Sequence, residues 1–186
     1  MATVVGIAGA LRKGSYNASL LRAAIELAPP HLTIEAASIG DVPLYDGDIE
    51  TQGIPEPVRA LKDRVAAADG LLLVTPEYNN SIPGVMKNAI DWMSRPAKDI
   101  PRVFGGKPVA IMGATTGRGA TMLAHAAWLP VLRTLGTLPW FGSRVQIPGA
   151  GKVFDGEGKL IDEETRMVVT KFLAGFADFV ARARPA

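Results

Sequence analysis

Cysteine is absent from this chain. Disulfides, thiolate metal sites and thiol redox chemistry are thereby excluded, and any redox work falls to a bound cofactor. Long apolar runs are missing too, since no stretch approaches the roughly 18 residues that a membrane-spanning helix needs. The start, MATVVGIAGALRK, lacks the basic segment ahead of an unbroken apolar stretch that marks a signal peptide. A cytoplasmic protein with no membrane role is expected. Charge of one sign is nowhere concentrated: Lys and Arg number 20 against 18 Asp and Glu, a net charge of +2 with no block of like charges. That balance argues against nucleic-acid binding. Histidine occurs only at His31 and His125, and no metal site is expected.

What is present is an ordinary globular composition, 48% hydrophobic and 20% charged. At 186 residues and 19.6 kDa the chain fits one domain spanning 1–186. Short runs rich in Val, Ile and Leu recur at 3–8, 32–39, 70–75, 108–113 and, less clearly, 143–147. Segments with helical periodicity separate them, at 15–28, 55–69, 81–95 and about 119–135, and a last one runs from near Asp162 to Arg184. This alternation predicts an α/β fold, a five-stranded parallel sheet with helices on both faces. Two loops exceed what a connection requires, 41–55 and 147–162, the second carrying a FDGEGKL turn that reads as a small hairpin.

GIAGALRKGSYNASL follows the first apolar run and nearly spells two phosphate motifs. Gly9, Gly14 and Ser15 match a Walker A loop, but the lysine between the last glycine and the serine is missing. Gly6, Gly9 and Gly14 also have the wrong spacing for a dinucleotide fingerprint. What remains is a strand end, a loop with Arg12, Ser15 and Asn17, and a helix start, a combination suited to one phosphate monoester. The plainer alternative has Ser15 capping the helix while Arg12 and Asn17 are solvated.

In a doubly wound sheet of order 2-1-3-4-5 the switch point lies between strands one and three, so their loops line one crevice. TPEYNNSIPGVMKNAIDW follows strand three, and its Pro76, Glu77, Tyr78 and Asn79 offer backbone polar groups, an aromatic face and an amide suited to a flat heterocycle. A turn followed by an N-cap at Ser81 is the alternative there. GATTGRGA follows strand four, its glycines allowing close backbone approach to a ligand and leaving N–H groups to stabilise negative charge.

GALRKGSYN, DVPLYDGD, PEYNNSIPGVMKNAIDW and GATTGRGA, in this order and spacing, make the chain resemble the NADPH-dependent FMN reductase family, which includes quinone and chromate reductases. The resemblance implies a flavodoxin-like three-layer sandwich, with FMN bound and NAD(P)H as co-substrate. Carried over by position, it implies that Arg12, Ser15, Tyr16 and Asn17 hold the FMN phosphate. Pro76, Glu77, Tyr78 and Asn79 would border the isoalloxazine, and Thr115, Thr116, Gly117 and Gly119 would lie along its pyrimidine side. Two residues depart from the family pattern, Ala10 where serine is common and Arg118 within the glycine loop.

The implied activity is ping-pong hydride transfer from NAD(P)H to FMN and on to a small-molecule acceptor: a quinone, chromate, a ferric complex, an azo compound or free flavin. The chemistry then sits on the cofactor, and no side chain is expected to be catalytic, His31 and His125 included. N–H groups of Gly117 to Gly119 would stabilise charge near the flavin N1. The resemblance also implies a homodimer or tetramer, with Trp92, Met93 and Arg95 as interface candidates. A flavodoxin-like electron carrier without NAD(P)H activity is the alternative reading, and the slightly basic charge disfavours it.

Overall fold

The computed structural model describes residues 1–183. Arg184, expected in the last helical turn, lies outside the described residues. Strands β1 (Ala2–Ala8), β2 (Leu32–Ala37), β3 (Gly70–Val74) and β4 (Pro108–Ala114) pair in parallel in the order β2-β1-β3-β4. Four of the apolar runs thus become strands, and the order is the one expected. The fifth position differs, because two short strands share it. β5 (Leu138–Pro139) pairs with Pro108 and Val109, and β6 (Val145–Ile147) pairs with Met112 to Ala114, both parallel to β4. The sheet therefore has six strands rather than five. Leu138 and Trp140 N–H donate to the Lys107 and Val109 carbonyls, so the Pro139 nitrogen faces the open edge; the chain leaves the sheet after Trp140 and rejoins it at Val145.

Helices cover both faces, as fully buried parallel strands require. α1 (Tyr16–Glu26) and the long C-terminal helix lie on one face, where Leu20, Val4, Leu72, Ala110, Phe172 and Phe176 form one apolar cluster. α3 (Glu56–Ala67), α4 (Gly84–Met93) and α6 (Met122–Thr134) lie on the other, with Val5, Leu71, Val65, Met86, Ile90 and Trp128. Two short helices were not foreseen, α2 (Gly47–Gln52) and α5 (Ile100–Val103). The Asp46 carboxylate caps α2 by accepting from Asp48 N–H at 2.8 Å, so the long 41–55 loop is partly helical. α7 (Glu163–Ala183) carries Glu163 and Glu164 in its first turn and Arg182 in its last, the charge order that complements its dipole. FDGEGKL is the expected hairpin, with Phe154 and Leu160 bridged antiparallel.

Two lysines are buried. Lys62 bonds Asp99 at 2.7 Å and also donates to the Arg95 carbonyl, and Lys107 donates to the Ala68 carbonyl. Burial lowers the Lys107 ammonium below its ordinary value, partly countered by Asp69.

The register brings the strand ends together. Ala8 pairs with Val74 and Val74 with Met112, so β1, β3 and β4 release their loops along one edge of the sheet. Gly9 N–H still bonds the Val74 carbonyl at 2.9 Å, and Thr75 N–H bonds Met112 at 2.8 Å. Across this edge, Asn17 on α1 pairs with the end of β4: its amide donates to the Ala114 carbonyl at 2.9 Å and accepts from Ala114 N–H at 2.9 Å. All of these groups are buried, where an unpaired amide or carbonyl costs more than a hydrogen bond contributes in water. Asn17→Ala is expected to cost about 2–4 kcal/mol. Urea unfolding followed by far-UV circular dichroism measures it, and Asn17→Asp is expected to be comparably damaging because a carboxylate cannot donate to Ala114.

Candidate functional site

Three loops close around one cleft at this edge. Its lining takes Arg12, Ser15, Tyr16 and Asn17 from the first loop, Pro76, Glu77 and Tyr78 from the second, and Thr115 and Thr116 from the third. Ala10 and Ala114 complete it. Nine of the twelve expected cofactor residues thus share one cavity. Asn79, Gly117 and Gly119 fall outside its lining.

In the first loop, Ser15 is the N-cap of α1 and accepts from Ala18 N–H at 3.2 Å. A hydroxyl that caps in this way still has its own hydrogen to donate. Arg12 sits over the Tyr16 ring, 5.4 Å from its centroid, and makes no ion pair among the described residues. Its charge is left for an external anion. Asn17 is the exception to the expected donor set, because its side-chain amide is engaged at Ala114 and only one N–H of that amide is spare. Gly9 permits the close meeting of loops: a Cβ there would lie 2.6 Å from Met86 Sδ and 2.9 Å from Pro76 Cδ.

The second loop is a tight turn. Tyr78 and Ser81 exchange both backbone hydrogen bonds at 3.1 Å, and between them Asn79 and Asn80 have φ of 50° and 61°. Two successive left-handed residues make a type I′ turn, which asparagine tolerates better than most side chains. Asn79 therefore serves the turn, and Tyr78 is left 46% exposed beside the cleft. Ser81 closes the turn and caps nothing; α4 begins at Gly84 behind Pro83.

The third loop departs most from expectation. Left-handed backbone falls at Ala120 and Thr121, with φ of 49° and 60°, and not at its glycines. Gly113 is needed for contact instead, because a Cβ there would overlap the Thr75 carbonyl oxygen and stand 2.5 Å from Thr121 Oγ1. Gly117 N–H turns back to Thr115 Oγ1 at 3.3 Å, so the amides of this loop are not all free for a ligand. Glu77 reaches across from the second loop, accepting from Leu123 and Ala124 N–H at 2.8 and 3.0 Å. The long loop after β6 also reaches the site. Ala150 N–H bonds the Thr115 carbonyl at 2.9 Å, and a Cβ on Gly151 would lie 3.3 Å from the Tyr16 hydroxyl. Its unusual length was the signal available in the sequence.

Of the interface candidates, Trp92 and Met93 are not surface residues, whereas the Arg95 side chain is partly exposed. Trp92 and Met93 are fully buried; Trp92 Nε1 donates to the Pro43 carbonyl at 2.9 Å and its ring meets Tyr45 edge-on at 4.9 Å. Arg95 bonds Glu50 through Nε at 2.8 Å, and Glu50 also accepts from the Tyr45 hydroxyl. These bonds hold the Glu50 carboxyl below its ordinary value, Arg95 contributing most. The motif thus anchors the DVPLYDGD loop, with Asn88 bonding both Pro43 and Tyr45.

A larger apolar cavity of about 280 Å³ lies between α6 and the excursion from β5 to β6, lined by Leu129, Trp140, Phe141 and His125 among others. Arg144, Ser143 and Gln146 also line it, but none of the loops that leave β1 and β3 does. Among the described residues no group of three or more His, Asp or Glu is placed to hold a metal ion, and no helix is long and apolar enough to cross a membrane. Ser15 with the first turn of α1 suits an anion, and Tyr78 with Thr115 and Thr116 suits a flat polar ring.

Residues 2–151 match the family described as NADPH-dependent FMN reductase. A reductase of Pseudomonas aeruginosa described as NAD(P)H-dependent FMN reductase is 42% identical over 181 residues, covering 97% of this chain and 96% of its own. A 2-hydroxy-1,4-benzoquinone reductase of a Burkholderia species is 38% identical over 178 residues, 96% of each chain. Among solved structures, the flavoenzyme NAD(P)H:(acceptor) oxidoreductase FerB of Paracoccus denitrificans superposes with a TM-score of 0.89 at 34% identity, covering 98% of this chain and 99% of that one.

His125 gives this region a pH response. Burial, with the nearby Arg144 charge, lowers its imidazole from 6.5 to about 4, and its Nε2 has no hydrogen-bond partner. The unfolded chain takes up this proton as pH falls below about 6.5 while the folded chain resists until about 4, so stability is lost as pH drops through that window. The loss is expected to reach up to about 3 kcal/mol. Urea midpoints between about pH 7 and 5, above most carboxylate titration, measure it against His125→Gln, whose profile is expected to be flatter.

Proposed function

The chain belongs to the NADPH-dependent FMN reductase family, and on that premise we propose that the three-loop cleft is where its FMN sits. The protein is an FMN-dependent NAD(P)H oxidoreductase, with FMN as cofactor and NAD(P)H as co-substrate. The observation that carries the cleft assignment is the convergence of an unpaired Arg12, the Ser15 hydroxyl and the N-terminus of α1 with loops able to flank a ring. This donor set fits a dianionic phosphate monoester.

In this reading Arg12, Ser15 and the first-turn amides bind the phosphate. Asn17 contributes by fixing α1 against β4 and by its spare N–H, and Tyr16 walls the phosphate end. Pro76, Glu77 and Tyr78 border the isoalloxazine; Thr115 and Thr116 line its pyrimidine side, with Asn79, Gly117 and Gly119 shaping the loops behind them. FMN, when bound, supplies hydride acceptance and release. The protein's part is to orient the ring and leave one face open through the exposed edge at Tyr78.

The acceptor class we assign is a small oxidised aromatic such as a quinone; chromate, ferric complexes, azo compounds and free flavin are further acceptors open to the same exposed ring. The quinone reductase names of relatives support this. We place the chain in the cytoplasm, with residues 1–186 forming one domain. Association as a homodimer or tetramer is assigned to α6, where Met122 and Leu129 are exposed close to Phe141, which is 71% exposed. Apolar area of this kind is unusual on a monomer surface.

Two measurements test the reading. FMN titration is expected to give a tight complex that NADPH bleaches on a catalytic timescale in stopped flow. No bleaching sinks the reductase assignment. Arg12→Ala is expected to weaken FMN about tenfold, a loss of about 1.4 kcal/mol, while leaving riboflavin, which has no phosphate, nearly unaffected. Ala10→Ser adds a hydroxyl to the cleft and is expected to tighten FMN several-fold without changing riboflavin.

A further inference from the structure

We propose that Glu77 is a positioning residue that holds the third loop, Thr115 to Thr121, in its cofactor-ready shape by occupying the N-terminus of α6 from the second loop. The proposal rests on the reading of the cleft as the FMN site. It goes beyond placing Glu77 at the ring, because it acts through the loop on the ring's other side.

A helix exposes N–H groups in its first turn, and these are usually satisfied by a residue just before it. α6 has no such cap. Its N-cap, Thr121, makes no side-chain capping bond, and its hydroxyl is buried without a partner beneath Gly113. The cap comes instead from Glu77, one carboxylate oxygen accepting from both Leu123 and Ala124. The same side chain follows the loop inward, its other oxygen 4.0 Å from the place of a Gly119 Cβ.

The third loop needs such a hold. Ala120 and Thr121 are consecutive left-handed residues without being glycine, an arrangement that persists only where the surroundings enforce it. The second loop is fit to enforce it, since its own turn is closed by two backbone bonds at 3.1 Å and Pro76 is packed against Gly9. The start of α6 therefore depends on the second loop's position, and the two walls of the flavin site move as one.

The carboxylate also has an electrostatic consequence. Its negative charge is matched by the α6 dipole, so neither acts alone on a bound flavin. Replacing it with a neutral amide removes a negative charge from the cleft and frees positive dipole end, and both changes favour a reduced, negatively charged flavin. A residue that merely stiffened the fold would not shift the flavin potential in a defined direction.

The test compares Glu77→Gln and Glu77→Ala with the full-length wild type, by hydrogen exchange without and with FMN, FMN titration and potentiometry. In E77A the Leu123 and Ala124 amides are expected to exchange about tenfold faster without FMN, and FMN to bind about tenfold more weakly. E77Q, which keeps the shape and one acceptor, is expected to fall between, with the midpoint potential of its bound FMN more positive than in wild type. Unchanged exchange at Leu123 and Ala124, or an unchanged or more negative potential in E77Q, overturns the proposal. Failure of the wild type to bind FMN overturns the cleft reading instead, a separate outcome that the exchange data distinguish.

Discussion

The pairing of Asn17 with Ala114 is the constraint on which the cleft depends. A side-chain amide carries a donor and an acceptor in the geometry of a peptide group, and here it completes a two-bond exchange with the last residue of β4. β1 and β4 are not neighbours, since β3 lies between them. Besides the sheet, the loop after β6 also links the first loop to the third, through Ala150 at Thr115 and Gly151 beside Tyr16. With Asn17 in place, the start of α1 is fixed against the end of β4, and Ser15, Tyr16 and Arg12 take their positions from that contact. The Glu77 bridge does the same between the second loop and the third, so all three loops are cross-tied before any ligand is considered.

Strain and contact are divided among residues in an unexpected way. Left-handed backbone beside the cleft is borne by Asn79, Asn80, Ala120 and Thr121. The nearby glycines Gly9 and Gly113 have ordinary φ values and are small because sulfur, ring or carbonyl atoms press against them. A glycine in a loop motif is commonly read as a hinge, yet these two are close-packing points. The cleft is accordingly held by packed contacts on one side and by hydrogen-bonded turns on the other.

The strands and the three loops were legible because period and punctuation are local properties of sequence, whereas the strand order came from the doubly wound pattern and the family resemblance. Val, Ile and Leu runs ending in glycine or proline announce a buried strand whatever surrounds it. The roles of individual polar residues were less legible. Asn17 read as a ligand donor because nothing near it in sequence shows a partner 97 positions away. Glu77 read as a ring contact for the same reason, its amide partners lying 46 and 47 positions on. Trp92 and Met93 were interface candidates through the family resemblance alone, while the apolar stripe of their helix favoured core; Pro43 and Tyr45, from the loop after β2, supply the cover for Trp92. The divided fifth strand escaped because a two-residue strand has no period to detect.

The buried lysines acquire a chemical meaning beside the missing thiols. Quinones are electrophiles that alkylate soft nucleophiles, thiolates first and unprotonated amines after them. This chain offers no thiol. Lys107, whose burial makes its neutral amine more available than that of an ordinary lysine, is kept under the surface with its nitrogen committed to Ala68. Lys62 is likewise enclosed, between Asp99 and the Arg95 carbonyl. The chain thus presents no thiol to an electrophile and keeps its two buried amines bonded within the fold.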